Sequence, residues 1–486
     1  MTGHIAKVLL LVTMLAAACS RGTPATTSSP TPSLKAGAIA WTDCGGGFQC
    51  GKLTVPLDYT HPSAGTIDIY LNRKPATDPA NRIGSLLINP GGPGASGISY
   101  LQDSVKTFAN LNRRFDLVGF DPRGVGQSSG VVCADAATEE AFDELDGVLD
   151  DPQEKQAAID ADKAYAAGCE QRSGRVLPYV DTASAAKDMD LIRQAVGDPK
   201  LTYLGFSYGT FLGQMYAHLF PKNVRALALD GVVDPSLGAN DDLLVYVKGF
   251  ESNLQAFLSN CRAHATAAPR CFFAQGGDPG TRLMNLIQRL DVTPIRVGSN
   301  NLTRSMAITG VQAALFDQSA WPYLDQALTL ADRGDGTVLM EFAQSLIQAD
   351  PIAQNLAVTC LDKPVPTDIA SYDALTSEFQ QASPFFGPDF QYANLICAYW
   401  PAKPTGKAEP LTADGAPPIL LIGGTNDPAT PYSEAQSVRQ RLAGSVLLTR
   451  TGNGHTSYAS SACSAGATDA YLINLTPPAE GTVCSS

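Results

Sequence analysis

An α/β architecture is what this sequence predicts: a mostly parallel sheet flanked by helices and interrupted by one large, mainly helical insertion. Three observations carry that prediction. Short apolar runs bounded by Gly or Pro, among them Ser85-Leu86-Leu87-Ile88-Asn89, Phe115-Asp116-Leu117-Val118-Gly119-Phe120 and Leu201-Thr202-Tyr203-Leu204, alternate with helical stretches. That alternation is the mark of buried parallel strands in βαβ units. From about Pro235 to Pro401 the pattern changes to helical periodicity, far longer than an ordinary loop. Strand-like runs then resume at Pro418-Ile419-Leu420-Leu421-Ile422 and Ser445-Val446-Leu447-Leu448-Thr449.

The elements follow in order along the chain. His4 and Lys7 precede an eleven-residue apolar run, Val8 to Ala18, which is too short to span a bilayer as a helix. It ends Leu15-Ala16-Ala17-Ala18-Cys19, so residues 1–18 are expected to be a signal peptide. The ending resembles a bacterial lipobox, with Cys19 as the lipid-bearing residue and membrane attachment only through that lipid. Ala16-Ala17-Ala18 also suits an ordinary signal peptidase, which would free the protein by secretion. Residues 19–38, rich in Ser, Thr and Pro, cannot bury a core and are expected to form a flexible tether. Lys52-Leu53-Thr54-Val55-Pro56-Leu57 and Thr66-Ile67-Asp68-Ile69-Tyr70-Leu71 then predict an opening hairpin. The expected organisation is a sheet domain over 39–235 and 402–486, with a helical cap inserted over 236–401.

Composition narrows the function classes. The chain has 486 residues, 44% hydrophobic and 17% charged, which suits a globular protein with a large core. A net charge of -13 without a clustered basic face argues against nucleic acid as a partner. Cys19 aside, ten of the eleven cysteines remain, an even number suited to an oxidising compartment. Cys44 and Cys50, Cys261 and Cys271, and Cys463 and Cys484 fall as close pairs, and Cys133 with Cys169 and Cys360 with Cys397 would complete a set. Spacing alone leaves the connectivity open. No C-x-x-C occurs and histidines are few, so no metal site is expected. No G-K-[ST] occurs, nor a G-x-G-x-x-G after the first strand, so no nucleotide cofactor is expected either.

The chemistry concentrates at Gly205-Phe206-Ser207-Tyr208-Gly209, between a predicted strand and a predicted helix. A G-x-S-x-G in that context is the nucleophile elbow of an α/β-hydrolase, a turn tight enough to need glycine two residues either side of the serine. Ser207 then requires a base and an orienting acid, in the order Ser, Asp or Glu, His. His61 precedes a proline in the opening hairpin, His218 lies in the helix after the elbow, and His264 sits between two cysteines of the insertion. His455, in Gly452-Asn453-Gly454-His455 directly after the last predicted strand, is the expected base. Asp427, in the Gly/Pro-rich loop one strand earlier, is the expected acid; Asp230, in Leu229-Asp230-Gly231, reads as a turn or capping residue. The oxyanion hole should combine the backbone N–H of Tyr208 with one from Asn89-Pro90-Gly91-Gly92-Pro93-Gly94. Pro90 and Pro93 have no N–H, and of Gly91 and Gly92 the expected donor is Gly92.

Taken together, Gly91-Gly92-Pro93-Gly94, Asp121-Pro122-Arg123-Gly124-Val125-Gly126-Gln127-Ser128, the elbow, Leu229-Asp230-Gly231-Val232-Val233-Asp234-Pro235, Asp427-Pro428-Ala429-Thr430-Pro431 and Gly454-His455 occur in a specific order. The set resembles the exported tripeptidyl-aminopeptidase-like branch of the prolyl-aminopeptidase family of α/β-hydrolases, from about Trp41 to Cys484. Asn89-Pro90 departs from the His-Gly start common in the wider family. The resemblance implies a serine peptidase that takes peptide substrates with a free N-terminus and releases short peptides such as tripeptides. An ester or lipid hydrolase would use the same triad, and only the cap would distinguish it. The acids of the cap, including Asp241, Asp242, Glu251, Asp317 and Asp325, offer charge for a substrate ammonium without singling out one residue. A non-catalytic envelope lipoprotein would need the elbow and the two loops to be coincidences.

Overall fold

The computed structural model describes residues 35–266 and 268–485, and residues from Ala36 onward form one compact unit. The expected signal peptide, Cys19 and nearly all of the tether lie outside the described residues. Within them a ten-stranded sheet runs in the order β1-β2-β3-β5-β4-β6-β7-β10-β11-β12. β1 (Thr42–Asp43), β2 (Gln49–Pro56) and β3 (Thr66–Lys74) are antiparallel, and β3 joins β5 antiparallel. All other pairings are parallel, among β4 (Gly84–Asn89), β5 (Phe115–Phe120), β6 (Leu201–Phe206), β7 (Val224–Asp230) and three later strands.

Burial explains why the central strands read as apolar runs. Every residue of β4, β5 and β6 is buried, because helices cover both faces of a parallel sheet. Alternate residues divide between the faces: Leu86, Ile88, Leu204 and Phe206 join one core, and Leu87, Tyr203, Leu227 and Leu229 the other.

Between β7 and the next strand of the sheet the chain folds mainly as helices, including Ala239–Ala263, Pro279–Val292, Arg304–Leu315, Trp321–Ala331, Thr337–Ala349 and Ile352–Asp362. Most of these enclose a core of their own, with Val247, Phe250, Leu283, Leu324, Leu339 and Phe386 among its members. The helix Ile352–Asp362 is different, since its Ala357, Val358 and Leu361 belong to the core on a face of the sheet. The insertion also contains a small hairpin, β8 (Ile295–Val297) with β9 (Asn300–Leu302), that helical periodicity did not predict. Strands of three residues are too short to display an alternation.

The sheet resumes with β10 (Leu420–Asn426), β11 (Val446–Asn453) and the short edge strand β12 (Val483–Ser485). Disulfides join Cys44–Cys50, Cys133–Cys169, Cys261–Cys271, Cys360–Cys397 and Cys463–Cys484. Among the described residues no helix is long and apolar enough to cross a membrane.

Candidate active site

β6 ends at Phe206 and the helix Tyr208–Leu219 begins two residues later, so Ser207 makes the whole turn. It does so at φ 54° and ψ -127°, a conformation that costs a non-glycine residue energy and that surrounding structure must enforce. The flanking glycines show why the turn tolerates no side chain there. A Cβ on Gly209 would lie 2.8 Å from both the carbonyl and side-chain oxygens of Asn89, and one on Gly205 would strike the Gly209 carbonyl. The Ser207 hydroxyl makes no capping bond to the helix, so its Oγ is not spent on structure.

Asp427 follows β10 and His455 follows β11, so both loops rise at the same carboxyl edge of the sheet as the elbow. His455 Nδ1 lies 2.8 Å from Asp427 Oδ1. A carboxylate only accepts, so Nδ1 carries the proton and Nε2 presents the lone pair of the neutral ring. Nε2 is buried and has no hydrogen-bond partner among the described residues. Asp427 also accepts the N–H groups of Ala429, Thr430 and Thr456 at 2.9–3.0 Å. Burial alone would raise its pKa, but the charge and hydrogen bond of His455, helped by the Thr430 and Thr456 N–H groups, hold it below the usual carboxylate range.

Asp230 ends β7 and is fully buried. Contrary to the turn or capping role expected of it, it reaches across the sheet edge and accepts the N–H groups of Ser457 and Tyr458, both at 2.8 Å. It thus holds the segment just after His455. Burial pushes its carboxyl up to about 6, against the pull of those two N–H groups. Arg450, also buried, donates to the carbonyls of Asn453 and Gly454 and to the Ser457 hydroxyl, holding the other side of the same loop. The insertion adds Phe316, whose carbonyl accepts the His455 N–H at 2.7 Å and whose ring meets the imidazole edge-on at 5.4 Å.

On the opposite side, Gly91 and Gly92 have φ of 104° and 106°, which glycine alone adopts freely. Gly91 is pressed against the elbow, for a Cβ there would lie 2.9 Å from Ser207 Cβ and 3.0 Å from the Tyr208 nitrogen. Its own N–H is committed to Asn89 Oδ1 at 3.0 Å. Tyr208 stands in the first helical turn, where an N–H has no intrahelical acceptor. Asp121, in the motif after β5, accepts from the Ser96 hydroxyl and the Ile98 N–H, fixing the helix that follows the glycine loop.

The other histidines lie elsewhere. His61 is exposed beside Asp58, His218 is exposed and bonded to the Thr412 carbonyl, and His264 contacts the Asn260 carbonyl. Several cap acids already have partners: Asp242 pairs with Lys363, Glu251 accepts from Ser383, and Asp325 accepts the N–H groups of Phe272 and Phe273. The roles of Asp230, Arg450 and Phe316 were not foreseen, because each depends on neighbours distant in sequence.

Known proteins agree with this architecture. A family model described as TAP-like protein matches residues 383–484. The chain is 34% identical over 480 residues to the serine protease Hip1 of Mycobacterium tuberculosis, covering 92% of this chain and 91% of that one. It is 32% identical over 473 residues to a tripeptidyl aminopeptidase of Streptomyces lividans, covering 92% and 86%. A third relative, carboxylesterase B of Mycobacterium tuberculosis, is 33% identical over 460 residues, covering 90% and 86%.

Proposed function

The chain belongs to the tripeptidyl-aminopeptidase-like family of α/β-hydrolases and is a serine hydrolase, and from that premise we propose that it removes short peptides from free N-termini outside the cytoplasm. Ser207 Oγ attacks the scissile carbonyl while His455 Nε2 takes its proton. Asp427 holds the imidazole in the required tautomer and stabilises the imidazolium. The backbone N–H groups of Gly92 and Tyr208 receive the oxyanion. His455 then protonates the leaving amine, and water attacks the acyl-enzyme by the same route in reverse. Gly92 is assigned rather than Gly91 because the Gly91 N–H is already engaged by Asn89.

One observation carries the reading: an imidazole fixed by a buried carboxylate at 2.8 Å, with its other nitrogen buried and unpartnered, in a loop at the same carboxyl edge of the sheet as a strained serine elbow. Peptide over ester is supported by the relatives named as a serine protease and a tripeptidyl aminopeptidase. The relative named as a carboxylesterase defines the competing outcome. Export rests on the apolar start, on Cys19 and on the five disulfides, with lipid attachment at Cys19 as the favoured form.

A substrate panel tests the activity. Free tripeptide anilides should be cleaved well, N-terminally blocked ones poorly, and short esters at an intermediate rate. Equal cleavage of free and blocked peptides would refute the aminopeptidase assignment, and a preference for esters alone would favour the esterase. Mass spectrometry of the mature N-terminus should find a diacylglyceryl-modified Cys19; an unmodified N-terminus would refute the anchor.

A further inference from the structure

Gly91, Gly92 and Gly94, in the loop that faces the elbow, have no side chains of their own with which to fix the backbone. An oxyanion donor is effective only when it is placed in advance of the reaction. The N–H groups on either side of Gly92 show how that placement is reached. On one side Asn89 Oδ1 engages the Gly91 N–H. On the other, the Gly94 N–H donates at 2.9 Å to Oδ1 of Asp350, a residue of the insertion. A Cβ on Gly92 would lie 2.8 Å from that oxygen and one on Gly94 2.7 Å, so the carboxylate rests directly on the loop backbone. Asn355 Nδ2 donates to the second Asp350 oxygen at 2.8 Å, and neighbouring Gln354 accepts the Gly126 N–H at 2.9 Å. Among the described residues Asp350 has no cation in salt-bridge range.

Asp350 stands just before the helix Ile352–Asp362, and the far end of that helix reaches the second donor. Asp362 accepts the Thr182 N–H at 2.9 Å and the Thr182 hydroxyl at 2.5 Å. The same hydroxyl meets the Tyr208 phenol at 2.5 Å. Between its ends the helix is seated in the core of the sheet by Ala357, Val358 and Leu361, and Cys360 is joined to Cys397.

We propose that the helix Ile352–Asp362 with Asp350 is a strut that positions the oxyanion hole, Asp350 acting on the Gly92 loop and Asp362 acting on Tyr208 through Thr182. Both acids are positioning residues and touch no reacting atom. The inference rests on the assignment of Gly92 and Tyr208 as oxyanion donors at Ser207. Its distinctive consequence is a defect in turnover that is independent of the substrate's N-terminus.

The test compares the mature protein with Asp350→Ala, Asp350→Asn and Asp362→Asn, on a free tripeptide anilide, its blocked counterpart and a short ester. Asp350→Ala should lower kcat about ten- to hundredfold, below the loss on deleting an oxyanion donor outright, with KM changed less than about twofold. All substrates should be affected alike, and a peptide boronic acid that forms a tetrahedral adduct should bind more weakly in proportion. Asp350→Asn keeps an acceptor oxygen and should restore most of kcat, while Asp362→Asn should give a smaller drop of the same kind. Should Asp350→Ala not fold, Asn355→Ala, which removes only the support of Asp350, should show the same kcat signature at lower amplitude. A rise in KM confined to free N-termini would overturn the strut and make Asp350 an amine contact. Unchanged kcat in the folded Asp350 variants would overturn the strut alone, leaving a Ser207-dependent activity intact. Persistence of activity in Ser207→Ala would overturn both the strut and the site assignment beneath it.

Discussion

The two walls of the site are held by different parts of the chain. The wall with Asp427 and His455 is organised by groups on the sheet: Asp230 at the end of β7 and Arg450 within β11 grip the histidine loop from either side. The insertion contributes there as well, through the carbonyl and ring of Phe316, through Gln318 on Asn453, and through Ser252 and Asn253 on Asn426. The wall with Gly92 receives its outer brace from Asp350 of the insertion. The difference teaches that buried charged groups of the sheet hold the histidine loop, with the insertion adding to them, whereas the outer brace of the glycine loop is a carboxylate of the insertion alone.

Substitutions should break that comparison in a graded way. Ser207→Ala, which removes the group both walls serve, should reduce kcat by about 10^4 to 10^6 with the fold intact, measured on the best anilide substrate. Asp427→Asn should cost about 10^4 by stabilising the wrong tautomer of His455, and should leave KM nearly unchanged. Phe316→Ala keeps the carbonyl and loses the ring contact, so a drop of about two- to tenfold in kcat is expected. Asp230→Asn retains an oxygen for the Ser457 and Tyr458 N–H groups and should have the smallest effect, under about tenfold. A loss at Asp230→Asn exceeding that at Asp427→Asn would exchange their roles.

The same two acids should respond oppositely to pH. Asp427 is held below the usual carboxylate value of about 3.9, so its stabilising contribution is present above that value and is lost as pH falls through its lower folded one. Asp230, raised to about 6, favours the fold when protonated, and that contribution is lost as pH rises through about 6. Denaturation midpoints of the parent and the two Asn variants across pH 3–8 should therefore diverge at opposite ends of the range. Parallel curves would contradict the electrostatic account.

Much of the site was legible because it is written locally. Gly205 and Gly209 flank Ser207, Asp427 and His455 lie in the loops directly after strands, and Pro90 and Pro93, lacking an N–H, narrow the candidates for the proposed oxyanion donor. What was not legible depends on meetings at long range. Asp230 finds its partners 227 and 228 residues away, and Asp350 meets Gly94 across 256. No pattern around Leu229-Asp230-Gly231 announces such a contact. The helix Ile352–Asp362 has the periodicity of its neighbours, yet its apolar face joins the sheet and not the core of the insertion.

The edge strand β12 has a practical consequence for anyone handling the protein. It pairs with Thr449, Arg450 and Thr451 of β11, so Cys484 stands directly opposite the arginine that grips the histidine loop. A purification tag or fluorescent reporter fused at that end would compete for the same edge and loosen the grip on the imidazole. The mature protein without the fusion should keep the higher specific activity, and equal activities with and without it would show that the edge is inert.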